Sequence, residues 1–174
     1  MRASKAVNAR YQKVGGSIPP TGFMKCEFCI EKEEHKKLFV TETEHWRVSL
    51  SPNQSYLGYC VVALKRHCGD MADLTTEEWI DFSRLSKRFE SAVRKVFGAT
   101  MFNWSCLMNH AYQAENPQPH VHWHVKPRYL KSVEFCGETF DDNEFGYQYE
   151  PKKENYVSND SVMAILKAVK DNFA

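Results

Sequence analysis

Residues 120–125 read His-Val-His-Trp-His-Val, so three of the chain's seven histidines fall within five positions, at every second residue. Successive side chains of a β-strand point to opposite faces. The spacing therefore puts three imidazoles on one face and Val121, Trp123 and Val125 on the other. A neutral imidazole near pH 7 is a competent nucleophile. Its attack on phosphorus would give a phosphoramidate and split one hard displacement into two easier ones. Metal ligation is the competing chemistry. Same-face neighbours on a strand stand roughly 6–7 Å apart, whereas zinc holds each nitrogen at about 2.0–2.1 Å. One or two of these histidines can share an ion; three from a single strand fit poorly.

A second constellation is Cys26-x-x-Cys29, from a set of six cysteines that also holds Cys60, Cys68, Cys106 and Cys136. The N-terminus lacks the apolar core of a secretory signal, and in a cytoplasmic chain this spacing favours metal or redox chemistry over a structural bridge. Cys60 and Cys106 lie in apolar runs and read as small core residues. Lys126 and Arg128 follow the histidines and read equally well as attractors of phosphate or as a solvated strand end. The charge run Glu31–Lys37 reads as solvated surface. Asp141-Asp142-Asn143-Glu144 lacks the spacing of an EF-hand and reads as a loop. Trp104 and Trp123 read as core.

The elements that must position these residues are legible from period and punctuation. Residues 1–22, with Gly15-Gly16 and Pro19-Pro20, read as a flexible arm. Lys37–Thr41 and His45–Leu50 read as a hairpin, Ser51–Ser55 as a turn, and Tyr59–Leu64 as a buried strand. Thr75 with Glu78 three residues on is a capping-box pattern. It opens a helix over 76–97 whose Trp79, Phe82, Leu85, Phe89, Val93 and Val96 form one apolar face, stopped by Gly98. Met101–Met108 and His120–Lys126 read as two more strands, separated by a polar loop. A last helix over 160–172 buries Val162, Ile165, Leu166 and Val169. The order β-β-β-α-β-β-α predicts an α+β domain with a largely antiparallel sheet.

Length and composition set the outer bounds. The chain has 174 residues, 43% hydrophobic and 26% charged, with a net charge of +1. That predicts one ordinary globular domain with no charge-driven pull toward nucleic acid or acidic membranes. No apolar run is long enough to span a bilayer. A cytoplasmic location is expected.

His120-Val121-His122-Trp123-His124-Val125-Lys126 resembles the signature of the histidine-triad (HIT) superfamily, His-φ-His-φ-His-φ-φ with φ apolar; Lys126 departs from it. Gly58–His67 resembles the family strand that ends in a basic pair and a histidine, and Asn109 falls where members often carry a polar residue. The resemblance covers about residues 24–130. It implies a HIT-like fold over 23–130, with 131–174 as an extension that holds the terminal helix and a possible lid. It also implies a hydrolase or nucleotidyl transferase acting at the α-phosphate of a nucleoside phosphate, such as a dinucleoside polyphosphate or phosphoramidate.

By that resemblance His122 is the nucleophile and forms a nucleotidyl-histidine intermediate. His124, Asn109, Asn116 and Gln118 would contact the phosphate. The loop before the triad departs from relatives: Asn116 takes the place of a glutamine, and Pro117 that of a hydroxyl residue. Ser51 lies near where relatives often place an acidic residue for the ribose. A nucleotide-binding module with little turnover is the alternative, and a hydrolase that uses zinc directly is a third reading. Some superfamily members, including galactose-1-phosphate uridylyltransferase-like proteins, bind zinc through a Cys pair, a histidine after the buried strand and the first triad histidine. Here those are Cys26, Cys29, His67 and His120, which implies structural zinc. Homodimers built through the long helix and the Met101–Met108 strand are implied as well. The expected partner is a nucleotide substrate, with neither nucleic acid nor membrane.

Overall fold

The computed structural model describes residues 26–30 and 36–173. The predicted N-terminal arm and most of the Glu31–Lys37 charge run lie outside those residues. Strands β1 (Phe39–Glu42), β2 (Trp46–Leu50) and β3 (Cys60–Leu64) precede helix α1 (Thr76–Phe97). Then follow β4 (Met101–Ser105), a 3-10 turn (Asn109–Gln113), β5 (His122–Arg128), a small hairpin of β6 (Val133–Phe135) and β7 (Glu138–Phe140), and helix α2 (Asn159–Asp171). The main sheet runs β1-β2-β3-β5-β4 and is antiparallel throughout. The structure is the expected α+β arrangement. It adds the β6–β7 pair and ends β4 at Ser105, so that 106–108 lead irregularly into the turn.

Local chemistry explains α1. Thr75 Oγ1 accepts from Glu78 N while the Glu78 carboxylate accepts from Thr75 N at 2.8 Å, the reciprocal cap anticipated from sequence. Glu78 also takes the Arg66 guanidinium through two hydrogen bonds of 2.5 and 2.8 Å, so one buried carboxylate ties the helix start to the end of β3. Gly98, at φ +73°, closes the helix in the left-handed conformation. Leu85, Phe89, Val93 and Phe97 pack on the inward face of the sheet, formed by Trp46, Val48, Leu50, Cys60, Val62, Leu64 and Val125. Burying that face is the main favourable term in holding the fold. Helix α2 adds Val162, Ile165, Leu166 and Val169 to the same core and sits beside β1 and α1.

The other face of the sheet holds the histidines. Strand registry sets Ser49, Val61, His124 and Ser105 in one row across β2, β3, β5 and β4, with Arg47, Ala63 and His122 in the next. Val61 and Ala63 are short, so the sheet is hollow where they flank the imidazoles. The hollow opens into a cleft of about 1030 Å³ whose lining includes Phe28, Leu38, Ser51, His110, His122 and His124. No residue after His124 lines it among the described residues. Within residues 131–173, Phe135 meets Phe97, and Phe140 enters the core.

Candidate active site and metal centre

His120 precedes β5 and is almost fully buried, at 2% exposure. Pairing of Val121 N to Cys68 O at 2.8 Å, and of Leu64 N to Val121 O at 3.1 Å, extends the strand contact and fixes its backbone. Its Nε2 meets the Leu64 carbonyl at 2.7 Å. A carbonyl only accepts, so this nitrogen carries the proton and Nδ1 presents its lone pair. That lone pair faces Cys26 Sγ at 3.3 Å and Cys29 Sγ at 3.6 Å, and His67 Nδ1 lies 3.4 Å from Cys29 Sγ. All four donor atoms lie within 4.8 Å of one another. Zinc with S and N ligands at their usual lengths and tetrahedral angles needs about 3.6 Å between such donors, so the four residues fit one ion. The donor chemistry agrees. Burial, then the neighbouring Cys26, pushes the Cys29 thiol up to about 11, and a cation among the four would offset that cost. The Leu64 carbonyl would be the outer partner that orients a ligating histidine. Cys68, the neighbour of His67, donates instead to Asp70 O at 3.1 Å.

Both ring nitrogens of His122 meet a partner. Nδ1 lies 2.7 Å from the His120 carbonyl, so it donates, and a neutral ring then carries its lone pair on Nε2. His124 Nε2 is 3.2 Å from that atom, and His124 Nδ1 is 2.7 Å from the Tyr59 hydroxyl. Burial lowers the basicity of both rings, offset at His122 by the bond to His120 O; for His124, the neighbours His122, Lys126 and His110 lower it further, to about 4. Both are thus held toward the neutral form. In the neutral form the His122 ring directs its Nε2 lone pair toward the cleft side of the sheet, an arrangement that can act as a nucleophile.

Two residues that the sequence reading passed over complete the surroundings. The Phe28 ring lies 4.3 Å from the His122 ring and 5.2 Å from that of His120. Its position between the two cysteines was the available signal. Tyr59 is the other, placed by the start of β3. Asn116 and Gln118 line the cleft; Asn109, exposed at the start of the 3-10 turn, does not, while its neighbour His110 does. Lys126 and Arg128 correct both sequence readings, since neither is solvated nor open to the cleft. Arg128 is fully buried against Asp142, with bonds of 2.6 and 2.8 Å. The acidic run around Asp142 is the loop expected, but its carboxylate answers a cation of the chain itself. Trp104 and Trp123 pack around Phe82 in a half-buried aromatic cluster.

The HIT domain family model matches residues 32–131, more than half of the chain. The chain belongs to the HIT family. No curated protein matches the sequence. Among solved structures, a hypothetical histidine triad nucleotide-binding protein from Sulfolobus tokodaii strain 7 shares 17% identity over 85% of this chain and 91% of its own, with a TM-score of 0.60. A histidine triad protein from Bradyrhizobium japonicum shares 12% over 83% of this chain and 98% of its own, at 0.58. The diadenosine triphosphate hydrolase of Plasmodium falciparum, solved in complex with cyclomarin A, shares 16% over 78% of this chain and 76% of its own, at 0.53. At such identities the likeness establishes the fold. No helix among the described residues is long and apolar enough to cross a membrane.

Proposed function

We propose that this protein is a nucleotidyl hydrolase or transferase in which His122 Nε2 attacks the α-phosphorus of a nucleoside phosphate. The observation that carries this reading is the 2.7 Å bond from His122 Nδ1 to the His120 carbonyl, which leaves Nε2 as the lone-pair nitrogen beside His124. The N–P bond forms as the bond to the leaving oxygen breaks. Water, or a phosphate-bearing acceptor, then displaces the imidazole from phosphorus. His124, with Asn116 and Gln118 from the cleft wall and Asn109 from the adjacent turn, would donate to phosphoryl oxygens. The nucleoside would lie along Phe28, Leu38 and Ser51. Zinc on Cys26, Cys29, His67 and His120 would be structural, since four protein ligands leave no position for water.

The test is the intact mass of the protein after a brief soak with diadenosine polyphosphates, nucleoside phosphoramidates and sugar nucleotides. An added nucleotidyl mass on the wild type, absent in His122→Ala, supports the reading. Turnover without such an adduct in rapid quench, or with His122 replaced, overturns it. Pro117 and Pro119 remove two backbone donors beside the phosphate position, which favours a binding module as the second reading; affinity without adduct or turnover would select it. A homodimer in the cytoplasm is part of the proposal. α1 and the edge strand β4 would form its interface, and a species of only monomer mass in sedimentation at micromolar concentration would refute it.

A further inference from the structure

We infer that Tyr59 is a positioning residue whose phenol locks His124 in the tautomer carrying its proton on Nε2, the nitrogen that faces His122. The His120 carbonyl accepts from His122 Nδ1 at 2.7 Å, so the neutral His122 ring has a lone pair on Nε2. His124 Nε2 lies 3.2 Å away. Two lone pairs would repel at that distance, so His124 Nε2 must be the donor. Its Nδ1 is then an acceptor, and the Tyr59 hydroxyl at 2.7 Å supplies the proton. Burial keeps Tyr59 protonated by pushing it up to about 12, so the phenol is available as a donor throughout the neutral range.

The fold holds that phenol in place. Buried Gln54 closes the loop from Ser51 to Tyr59: its Nε2 donates to Ser51 O at 2.6 Å and to Tyr59 O at 3.2 Å, and its Oε1 accepts from Gly58 N at 2.8 Å. Gly58 makes the turn at φ +78°, against Phe97 and Val93. The Lys126 ammonium lies 5.1 Å from the centroid of the Tyr59 ring and 4.0 Å from that of Tyr149, so this buried cation packs against both phenol rings.

The consequence concerns the reaction proposed above, on which the kinetic half of the test rests. When a phosphoryl group enters, His124 Nε2–H can turn its proton from His122 to a phosphoryl oxygen. This frees the attacking lone pair and adds a donor to the developing charge. In the other tautomer a lone pair would face that oxygen.

The decisive experiment is long-range ¹H–¹⁵N spectroscopy of ¹⁵N-histidine-labelled, ligand-free protein at pH 7.5, for the wild type and Tyr59→Phe. The expected result is His122 protonated on Nδ1 and His124 on Nε2 in the wild type. His124 should move to a tautomer mixture in Tyr59→Phe, which keeps the ring but loses the donor. In turnover, Tyr59→Phe should lower kcat roughly tenfold, about the worth of one hydrogen bond, with KM within about twofold. A wild-type His124 protonated on Nδ1, or an unchanged His124 pattern in Tyr59→Phe, overturns the inference. The spectrum needs no substrate, so it decides the role of Tyr59 even if the nucleotidyl-histidine reading fails.

Discussion

Strand β5 presents one face along its whole length, yet its two halves live in different chemistry. His122 and His124 face an open cleft flanked by Val61 and Ala63. Lys126 and Arg128 continue the same alternation and are sealed beneath residues 141–150. Arg128 gives all five of its N–H directions to acceptors on Asn103, Asp142, Glu144 and Tyr147. Lys126 has aromatic rings around it, with Tyr149 nearest. Alternation decides which way a side chain points. What covers that face decides whether the group reacts or holds the fold together. In this chain the half proposed to react is held toward the neutral form, and the structural half is charged.

The sharpest way to break the comparison is to exchange the fates of the two halves. His122→Ala should abolish turnover, with a loss of roughly a thousandfold or more in kcat, because the covalent route disappears. Its melting temperature should stay near that of the wild type, since His122 faces a cavity and donates one hydrogen bond. Steady-state kinetics beside thermal unfolding reads both. Retention of most activity would remove His122 from the mechanism.

Arg128→Met should do the reverse. It strands the Asp142 carboxylate, which is 1% exposed, without its partner. Breaking a buried pair from one side costs about 3–5 kcal/mol, and a domain of this size then loses roughly 10 °C in melting temperature. Arg128→Met with Asp142→Leu should recover most of that loss. A single variant as stable as the wild type would mean that the far half of β5 is not structural.

The proposed metal centre sits at the boundary of the histidine half, because His120 would supply a ligand nitrogen and its carbonyl orients His122. Protein purified without chelator should carry about one zinc per chain, and Cys26→Ser should bring it close to none. The melting temperature should fall by several degrees as the segment bearing Phe28 is released. Zinc-free wild type together with an unshifted Cys26→Ser would sink the site.

These residues also show what could be read before the structure. The histidine face, the capping box at Thr75 and Glu78, the Gly98 stop and the Cys26–Cys29 pair follow from period, punctuation and spacing, while His67 and His120 join that pair through the family resemblance. The fate of Lys126 and Arg128 did not. It depends on Asp142, fourteen residues on from Arg128, and on where a loop without periodic signal folds back. Tyr59 was read as part of a buried strand. Its role comes from a hydrogen bond to a residue 65 positions away, made possible by the β3–β5 register. Phe28 was hidden for the same reason: its contact with His122 is purely tertiary.

The smallest effect separates the halves by pH. His124 is held neutral: burial, then His122, Lys126 and His110, bring its pKa down to about 4, whereas in an unfolded chain a histidine titrates near 6.5. The unfolded state therefore takes up a proton at a pH where the folded state does not, and folding loses ground as pH falls. The sign is that of a depressed group: its contribution is present in full above about pH 6.5, is lost progressively as pH falls through the window to about 4, and is gone below that. His124→Gln keeps a hydrogen-bonding side chain in place but cannot titrate. Its melting temperature should fall less between pH 7.5 and pH 4.5 than that of the wild type, because every other titrating group is common to both proteins and cancels in the difference. Parallel pH profiles for the two proteins would mean that His124 is free to charge in the folded state. The cleft would then carry a cation of its own beside His122, and the contrast between a neutral reactive half and a charged structural half of β5 would fail.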